Sequence, residues 1–362
     1  MIAYVAMTTG FAPYTLNEVA WNTPLLLNAY AATGSIAGSI LQLSCIIVSA
    51  FIYLPFISLD TRLRNITSKK KFNDLMEVAF SPESGRRLLQ QPGDLGTIAR
   101  GLAVDIFPAI KKNEIYLVYQ PQVDSTTERV VGVESLIRWN HPKFGMIPPP
   151  VIIQLAEETD KIIELGEWIL RTSVNQLSQW RAAGIRQLTM SVNVSSKQLE
   201  DPVFPDRYLS IIQETAISSQ LVKLEVTEAK ALTDQVFKNG TLQQLQKAGA
   251  KLAIDDFGMG HSSIRYLKLL QADSLKLDCI LTRDIEHCEN SAEIIYSINQ
   301  LCSQLGVEIV AEFVETKEQL NKLQSLGCRI IQGYYYSPPL DADKIPAFCD
   351  AMSSHPTASN IS

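Results

Sequence analysis

The sequence predicts an α/β fold, a TIM-like (β/α)8 barrel preceded by a short transmembrane α-helical segment. Three observations predict it. From about Thr97 to Ala351, eight strand-like runs alternate with helix-like runs, the order and size an eight-stranded α/β barrel needs. An open doubly wound sheet is the alternative, but the glycine-rich dinucleotide turn of that fold is missing. Ahead of the alternating region, no Asp, Glu, Lys, Arg or His occurs between Val19 and Leu59. Finally, each strand-like run ends in a polar group, as expected of a barrel whose site lies at its C-terminal face.

Within the uncharged stretch, Ile36–Leu59 is long enough to cross a bilayer as a helix. Asp60, Arg62, Arg64, Lys69, Lys70 and Lys71 follow, and this cationic flank places the next segment on the cytoplasmic side. A signal peptide would have a basic start and a shorter apolar run. The alternative is a buried helix of a soluble protein. Met1–Tyr30 is also apolar but is broken by Gly10, Pro13 and Pro24, which suits a second short span, a re-entrant piece or an interfacial segment. The run WNTPLLLNAYAATGSIAGSILQLSCIIVSAFIYLPF resembles the last membrane segment of permease subunits from lactose/cellobiose-type phosphotransferase systems. The remainder of such a permease is missing, so the resemblance implies an inherited membrane anchor rather than transport. The expected organisation is a membrane segment at 1–59, a cytoplasmic linker at 60–96, a barrel at 97–351 and a disordered polar tail at 352–362. The linker carries Pro82, Ser84-Gly85 and Pro92-Gly93.

The strand candidates are Glu114–Gln120, Val130–Arg138, Gln187–Val194, Val222–Thr227, Lys251–Asp256, Ser274–Leu277, Val307–Phe313 and Arg329–Tyr334. Helical periodicity marks Val151–Glu164, Gly166–Ala183, Ala292–Leu305 and Lys317–Leu326 between them. The formal net charge of -6 argues against a partner that is a nucleic-acid polymer, though a few cations can still hold a small phosphorylated ligand. The six cysteines show no CxxC pairing and read as reduced thiols of a cytoplasmic domain.

The strand ends carry Gln120, Glu134, Asn193, Glu225, the pair Asp255–Asp256, Lys276, Glu312 and Gln332. Singly, a strand-end Asp or Asn caps the next helix and a Glu faces water. Convergence of the whole set on one rim points to a site. Glu134, Asn193, Glu225, Asp255 and Asp256 are all oxygen donors, a set that suits Mg²⁺ or Mn²⁺ rather than structural zinc. So many acids favour two ions, about 3.5–4 Å apart, the clamp used for in-line phosphoester hydrolysis. Lys276 then helps lower the pKa of the attacking water or balances phosphate charge. Arg138 offers a phosphate fork, or else an ion pair on the rim.

YQPQVD (119–124), ESLIRWNHP (134–142), SVNVSSKQL (191–199), LEVTEA (224–229), IDDFGMGHSS (254–263), LKLD (275–278), AEFVET (311–316) and QGYYYSPPL (332–340) resemble the EAL-domain family in order and spacing. The resemblance implies a cyclic di-GMP phosphodiesterase that cuts one 3′,5′ bond to give the linear dinucleotide. It implies metal ligation by Glu134, Asn193, Glu225, Asp255 and Asp256, and a catalytic place for Glu312 as ligand or base beside the water. It implies that Lys276 orients or activates that water. Gln120, Arg138 and Gln332 match substrate-contacting positions. Glu228 matches a glutamate that steadies the loop after the fifth strand, a loop tied to dimer contacts and activity. The whole then reads as a membrane-bound homodimer of the bacterial inner membrane, with its catalytic domain in the cytoplasm.

Three departures stand out. Glu-Ala-Leu reads Glu134-Ser135-Leu136, the loop after Asp256 carries Met259 and His261, and Phe313 replaces a glycine of the family pattern. A glycine at that point serves close backbone approach, so Phe313 is expected to shift Glu312 or crowd the site. The alternative function is a catalytically impaired domain acting as a cyclic di-GMP receptor.

Overall fold

The computed structural model describes residues 87–227, 240–257 and 270–354. The chain divides into two units, and all the described residues belong to the second, Asp74–Ser362. The expected span at 36–59, Glu228, Met259, His261 and residues 355–362 lie outside the described residues. Among the described residues, no helix is long and apolar enough to cross a membrane.

A 3-10 turn at Leu88–Gln90 and helix α1 (Gly93–Lys111) precede β1 (Ile115–Asp124), β2 (Arg129–His141) and β3 (Gly145–Ile147). Then come α2 (Pro149–Glu158), α3 (Ile162–Ala182), β4 (Thr189–Asn193), α4 (Ser196–Glu200), α5 (Phe204–Thr215) and β5 (Val222–Thr227). Next are α6 (Thr241–Lys247), β6 (Lys251–Phe257), β7 (Ser274–Leu277), α7 (Cys279–Thr282) and α8 (Glu289–Leu305). The last are β8 (Glu308–Ala311), α9 (Lys317–Ser325), β9 (Ile330–Ile331) and α10 (Ile345–Ser353).

The strands run β1-β9-β8-β7-β6-β5-β4-β2, and β2 pairs back onto β1, closing an eight-stranded barrel. β3 adds a short antiparallel strand at the far end of β2. The barrel departs from strict β/α alternation. β1 is antiparallel to both of its neighbours, β2 and β9, whereas the other barrel strands are parallel. The reason is length. Four residues, Ser125–Glu128, join β1 to β2, and a parallel crossover needs about a dozen. Asp124 shapes the turn, its Oδ1 accepting the amides of Thr126 at 2.9 Å and Thr127 at 3.4 Å, and Glu128 takes φ 53°.

The strands read as nearly continuous buried runs because helices cover the barrel's outside. The longest of the described helices, α3, buries Leu165, Ile169, Val174, Leu177 and Trp180 at spacings of three to five residues. Capping boxes start α4 (Ser195 with Gln198) and α9 (Thr316 with Gln319). The helix expected at Val151–Glu164 is broken: α2 stops at Glu158, Asp160 adopts φ 57°, and α3 begins at Ile162. α1 starts at Gly93, inside the stretch read as linker.

Candidate active site

Lys276, in the middle of the four-residue strand β7, is 2 % exposed. Burying an ammonium is costly unless partners replace water around it. Four carboxylates do so, three from strands β2, β5 and β6 and one, Glu312, from the residue just past β8. Its Nζ lies 2.7 Å from Glu225 Oε2, 3.0 Å from Glu312 Oε1, 3.1 Å from Glu134 Oε2 and 3.3 Å from Asp255 Oδ1. Strand alternation accounts for the convergence. The register Asn193↔Glu225 and Glu134↔Ser191 turns Glu134, Asn193 and Glu225 to the same interior face.

The charges govern each other's protonation. Burial favours the neutral form of Lys276, but Glu134, Glu225, Glu312 and Asp255 together outweigh it and hold the ammonium well above the usual lysine range. Burial also raises Glu134, yet Lys276 and hydrogen bonds from Gln332 and Asn193 bring that carboxyl below its usual value. Glu225 is pushed well above the carboxylate range, by burial first and then by Glu134. Glu312 is pushed up to about 8, by burial first, against the pull of Lys276.

This arrangement fits divalent cations by the chemistry of its donors. Four carboxylates against one ammonium leave three negative charges (four minus one) if all ionise. Glu225 Oε1 is buried with no hydrogen-bond partner. The donor set is all oxygen. Among the described residues, no three His, Cys, Asp or Glu side chains already close around one metal-sized point. The carboxylates are gathered on the Lys276 ammonium instead, which takes the place of positive charge between them.

Asp255 and Asp256 are placed differently. The register of β6 on β7 slips between Ile254 and Phe257, placing a bulge at the two acids. Asp255 turns to Lys276, while Asp256 is exposed, at φ 56°, with its N–H on Asp255 Oδ1 at 3.0 Å. Asn193 donates its Nδ2–H to Glu134 Oε1 at 2.8 Å. Ser135 turns its hydroxyl to the Ser191 carbonyl at 3.2 Å, away from the acids.

Gln120 and Glu134 are not strand ends. They face each other across the β1–β2 ladder. Arg138 is half-buried, and among the described residues its guanidinium bonds only to the Ile137 carbonyl, at 2.8 Å. Burial lowers it, against Tyr334, Tyr116 and Glu134. Among the described residues it makes no ion pair, and its fork offers donors for an anion. Gln332 is buried, donating to Glu134 Oε2 at 2.6 Å and to Gln120 Oε1 at 3.3 Å, so both its N–H bonds are spent inside the protein.

The expected effect of Phe313 is not seen. Glu312 stays on Lys276, and Phe313 holds φ 57° with its side chain 51 % exposed. The cost lies in the backbone, which takes the left-handed conformation a glycine adopts freely. The close approach falls instead at Gly333, where any Cβ would overlap the backbone of Val314.

Gln122, buried beside Gln332, went unread in the sequence. Its signal was available, because Gln120, Gln122 and Asp124 repeat a polar side chain every second residue along an otherwise apolar strand.

The profile of the EAL domain matches residues 103–339. A cyclic di-GMP phosphodiesterase of Pseudomonas aeruginosa is 36% identical over 225 residues, which cover 62% of this chain and 38% of that protein. The bifunctional diguanylate cyclase/cyclic di-GMP phosphodiesterase MucR of the same organism is 35% identical over 243 residues, 67% of this chain and 36% of MucR. The chain thus spans about a third of the length of these curated relatives. A structure of the MucR phosphodiesterase in complex with c-di-GMP superposes with a TM-score of 0.64 at 35% identity, covering 68% of this chain and 99% of that one. The EAL domain of Mycobacterium smegmatis DcpA gives 0.57 at 30% identity, covering 66% and 98%. A profile match over residues 103–339, which hold every barrel strand, together with a relative 35% identical over 67% of the chain, shows that the chain belongs to the EAL-domain family.

Proposed function

We propose that this chain is a membrane-anchored phosphodiesterase that hydrolyses cyclic di-GMP to linear pGpG, using two Mg²⁺ or Mn²⁺ ions. The observation that carries the proposal is the set of buried acids Glu134, Glu225, Asp255 and Glu312 converging on Lys276. Glu134, Asn193, Glu225, Asp255 and Asp256 would hold the cations. When bound, these supply Lewis-acid charge at the phosphoryl oxygens and make water acidic enough to ionise near neutral pH.

The chain's own groups do the rest. Lys276, kept charged by its neighbours, holds the water and balances phosphate charge rather than removing a proton. Glu312, 3.0 Å from Lys276, is placed beside the water as ligand or as the base that accepts its proton once the cations offset the burial that now raises its carboxyl. Arg138 turns its guanidinium fork to the phosphate, and Gln120 positions the substrate. Ile36–Leu59 anchors the chain in the bacterial inner membrane with the barrel in the cytoplasm, and the barrel pairs as a homodimer. Carbonate-resistant pelleting with membranes and light scattering of the purified chain check those two points. Recovery in the soluble fraction, or a monomer mass, would refute them.

The deciding experiment incubates the full chain with cyclic di-GMP and Mg²⁺ or Mn²⁺ and resolves the nucleotides by chromatography. Linear product is expected, and E134A should lower kcat by at least about 10²-fold. A second reading, a receptor that binds without turnover, draws on one observation: Lys276 is wholly engaged by the acids that would hold the cations. Tight binding with no linear product would decide for the receptor.

A further inference from the structure

Four side-chain amides and carboxylates at this site form a relay with one direction. Gln122 Nε2 donates to Gln332 Oε1 at 2.9 Å. Gln332 Nε2 donates to Glu134 Oε2 at 2.6 Å and to Gln120 Oε1 at 3.3 Å. Gln120 Nε2 then donates to the Ser337 carbonyl at 3.3 Å. An amide has one donor end and one acceptor end, so fixing either end fixes the other. Reversing Gln332 would set its oxygen against a carboxylate oxygen at 2.6 Å, two acceptors with no proton between them.

Gln122 is 2 % exposed and stands opposite Gly132 on β2. A Cβ at Gly132 would lie 2.8 Å from Gln122 Oε1 and 2.5 Å from Thr189 Oγ1. The glycine therefore leaves the room that the Gln122 amide occupies. In the described residues, Gln122 supplies the hydrogen bond that holds the Gln332 oxygen away from Glu134. Among the described residues, it makes no hydrogen bond to the acids on Lys276 itself.

We infer that Gln122 is a positioning residue: its buried amide sets which way Gln332 faces, and through Gln332 the carboxylate of Glu134 and the amide of Gln120. The inference rests on the reading of Glu134 as a cation ligand. When Glu134 shares its electrons with a cation, its own grip on Gln332 weakens, leaving the long 3.3 Å bond to Gln120 and the 2.9 Å bond from Gln122, of which only Gln122 holds the Gln332 oxygen. Partners of this outer kind commonly matter about 10–100-fold in metal affinity or activity.

The test is a double-mutant cycle on the full chain, read by calorimetric Mn²⁺ binding and by kcat and KM for cyclic di-GMP. Q122M keeps the length of the side chain and removes the donor. It is expected to weaken Mn²⁺ binding about tenfold, Q332M comparably, and Q122M/Q332M no more than Q332M alone. A neighbour acting only through packing would give additive losses and would leave Mn²⁺ affinity near wild type; either result overturns the inference. Should Q122M melt too early to measure, G132A displaces the same amide from the other side. It is expected to weaken Mn²⁺ binding and to add nothing in the Q332M background, and additivity there overturns the inference equally. The two readings fail separately. Coupled Mn²⁺ losses without hydrolysis by the wild type sink the phosphodiesterase reading alone, and hydrolysis with uncoupled losses sinks only the role of Gln122.

Discussion

A residue with a β-carbon held at positive φ stores strain that its surroundings must offset, and Phe313 at φ 57° is such a residue beside Glu312. The ring is 51 % exposed, so removing it costs some burial and gains some backbone ease. Comparing two variants that both lack the ring isolates the backbone. F313G is expected to be more stable than F313A by about 0.5–1 kcal/mol. Left-handed geometry costs a residue with a β-carbon roughly 1–2 kcal/mol, and glycine returns roughly half of that through its freer unfolded chain. Urea unfolding of both proteins measures the difference, and an F313A at least as stable as F313G would refute the strain. The gathering of Glu134, Glu225, Asp255 and Glu312 with Lys276 was legible because acids that interrupt apolar strand runs recur along the chain and share a hard-cation chemistry. The location of strain at residue 313 was not legible, since φ depends on how β8 leaves the barrel. Gln332 reads as a substrate contact, and only its hydrogen bonds show that its donors are spent on Glu134 and Gln120.

Elements were easier to place than to orient. The strand runs at β5, β6 and β7 were legible from their apolar continuity, and the strand direction at β1 was not, because alternation says nothing about which way a strand runs. The short Ser125–Glu128 link held that information. The bulge in β6 was equally hidden: the register against β7 slips between Ile254 and Phe257, leaving Asp256 exposed while Asp255 reaches Lys276. The segment before α1 shows another local device. Glu158, at the end of α2, accepts the Leu88 amide at 2.6 Å and the Leu89 amide at 2.9 Å. Arg100 closes the turn from the other side on the Leu89 carbonyl at 2.9 Å, and Leu88 is wholly buried. Hydrogen bonds to an ionised carboxylate are worth about 1.5–3 kcal/mol each before exposure is discounted. E158A is therefore expected to free the turn. Hydrogen exchange at the Leu88 and Leu89 amides should quicken by at least about tenfold, while the β5 and β7 amides keep their protection. Unchanged exchange at residues 88 and 89 would show that Leu88 burial alone holds the turn.

At the scale of the whole barrel, closure runs through the short strand β9, which meets each of its neighbours through two residue pairs. At its seam with β1 the pairs are Val123↔Ile331 and Asp124↔Ile330. Side chains reinforce what the ladder lacks. Asp124 binds the Arg329 guanidinium, the Ser125 amide and hydroxyl both reach the Arg329 carbonyl at 2.9 Å, and Gln324 reaches the Ser125 carbonyl at 3.0 Å. Arg329 first, opposed next by burial and then aided by the Thr126 and Thr127 amides and the Thr127 hydroxyl, lowers the Asp124 carboxyl from its usual 3.8 to about 2. A carboxyl depressed in the folded state stabilises it fully above the unfolded pKa, and that stabilisation drains away as pH falls through the folded value. The window is therefore about pH 4 down to about 2. Its size is at most about 2.5 kcal/mol at about 1.36 kcal/mol per pKa unit, and nearer 1–2 kcal/mol because the Arg329 side chain is 63% exposed and screened by water. D124N keeps an oxygen for the turn amides and removes the charge, so it should cost about 1–2 kcal/mol at pH 7 and progressively less below pH 4. Urea unfolding of wild type and D124N at pH 7 and pH 3 checks this. A gap of the same size at both values would mean that Asp124 closes the barrel by hydrogen bonding alone, whereas a gap that narrows at pH 3 assigns the seam to its charge.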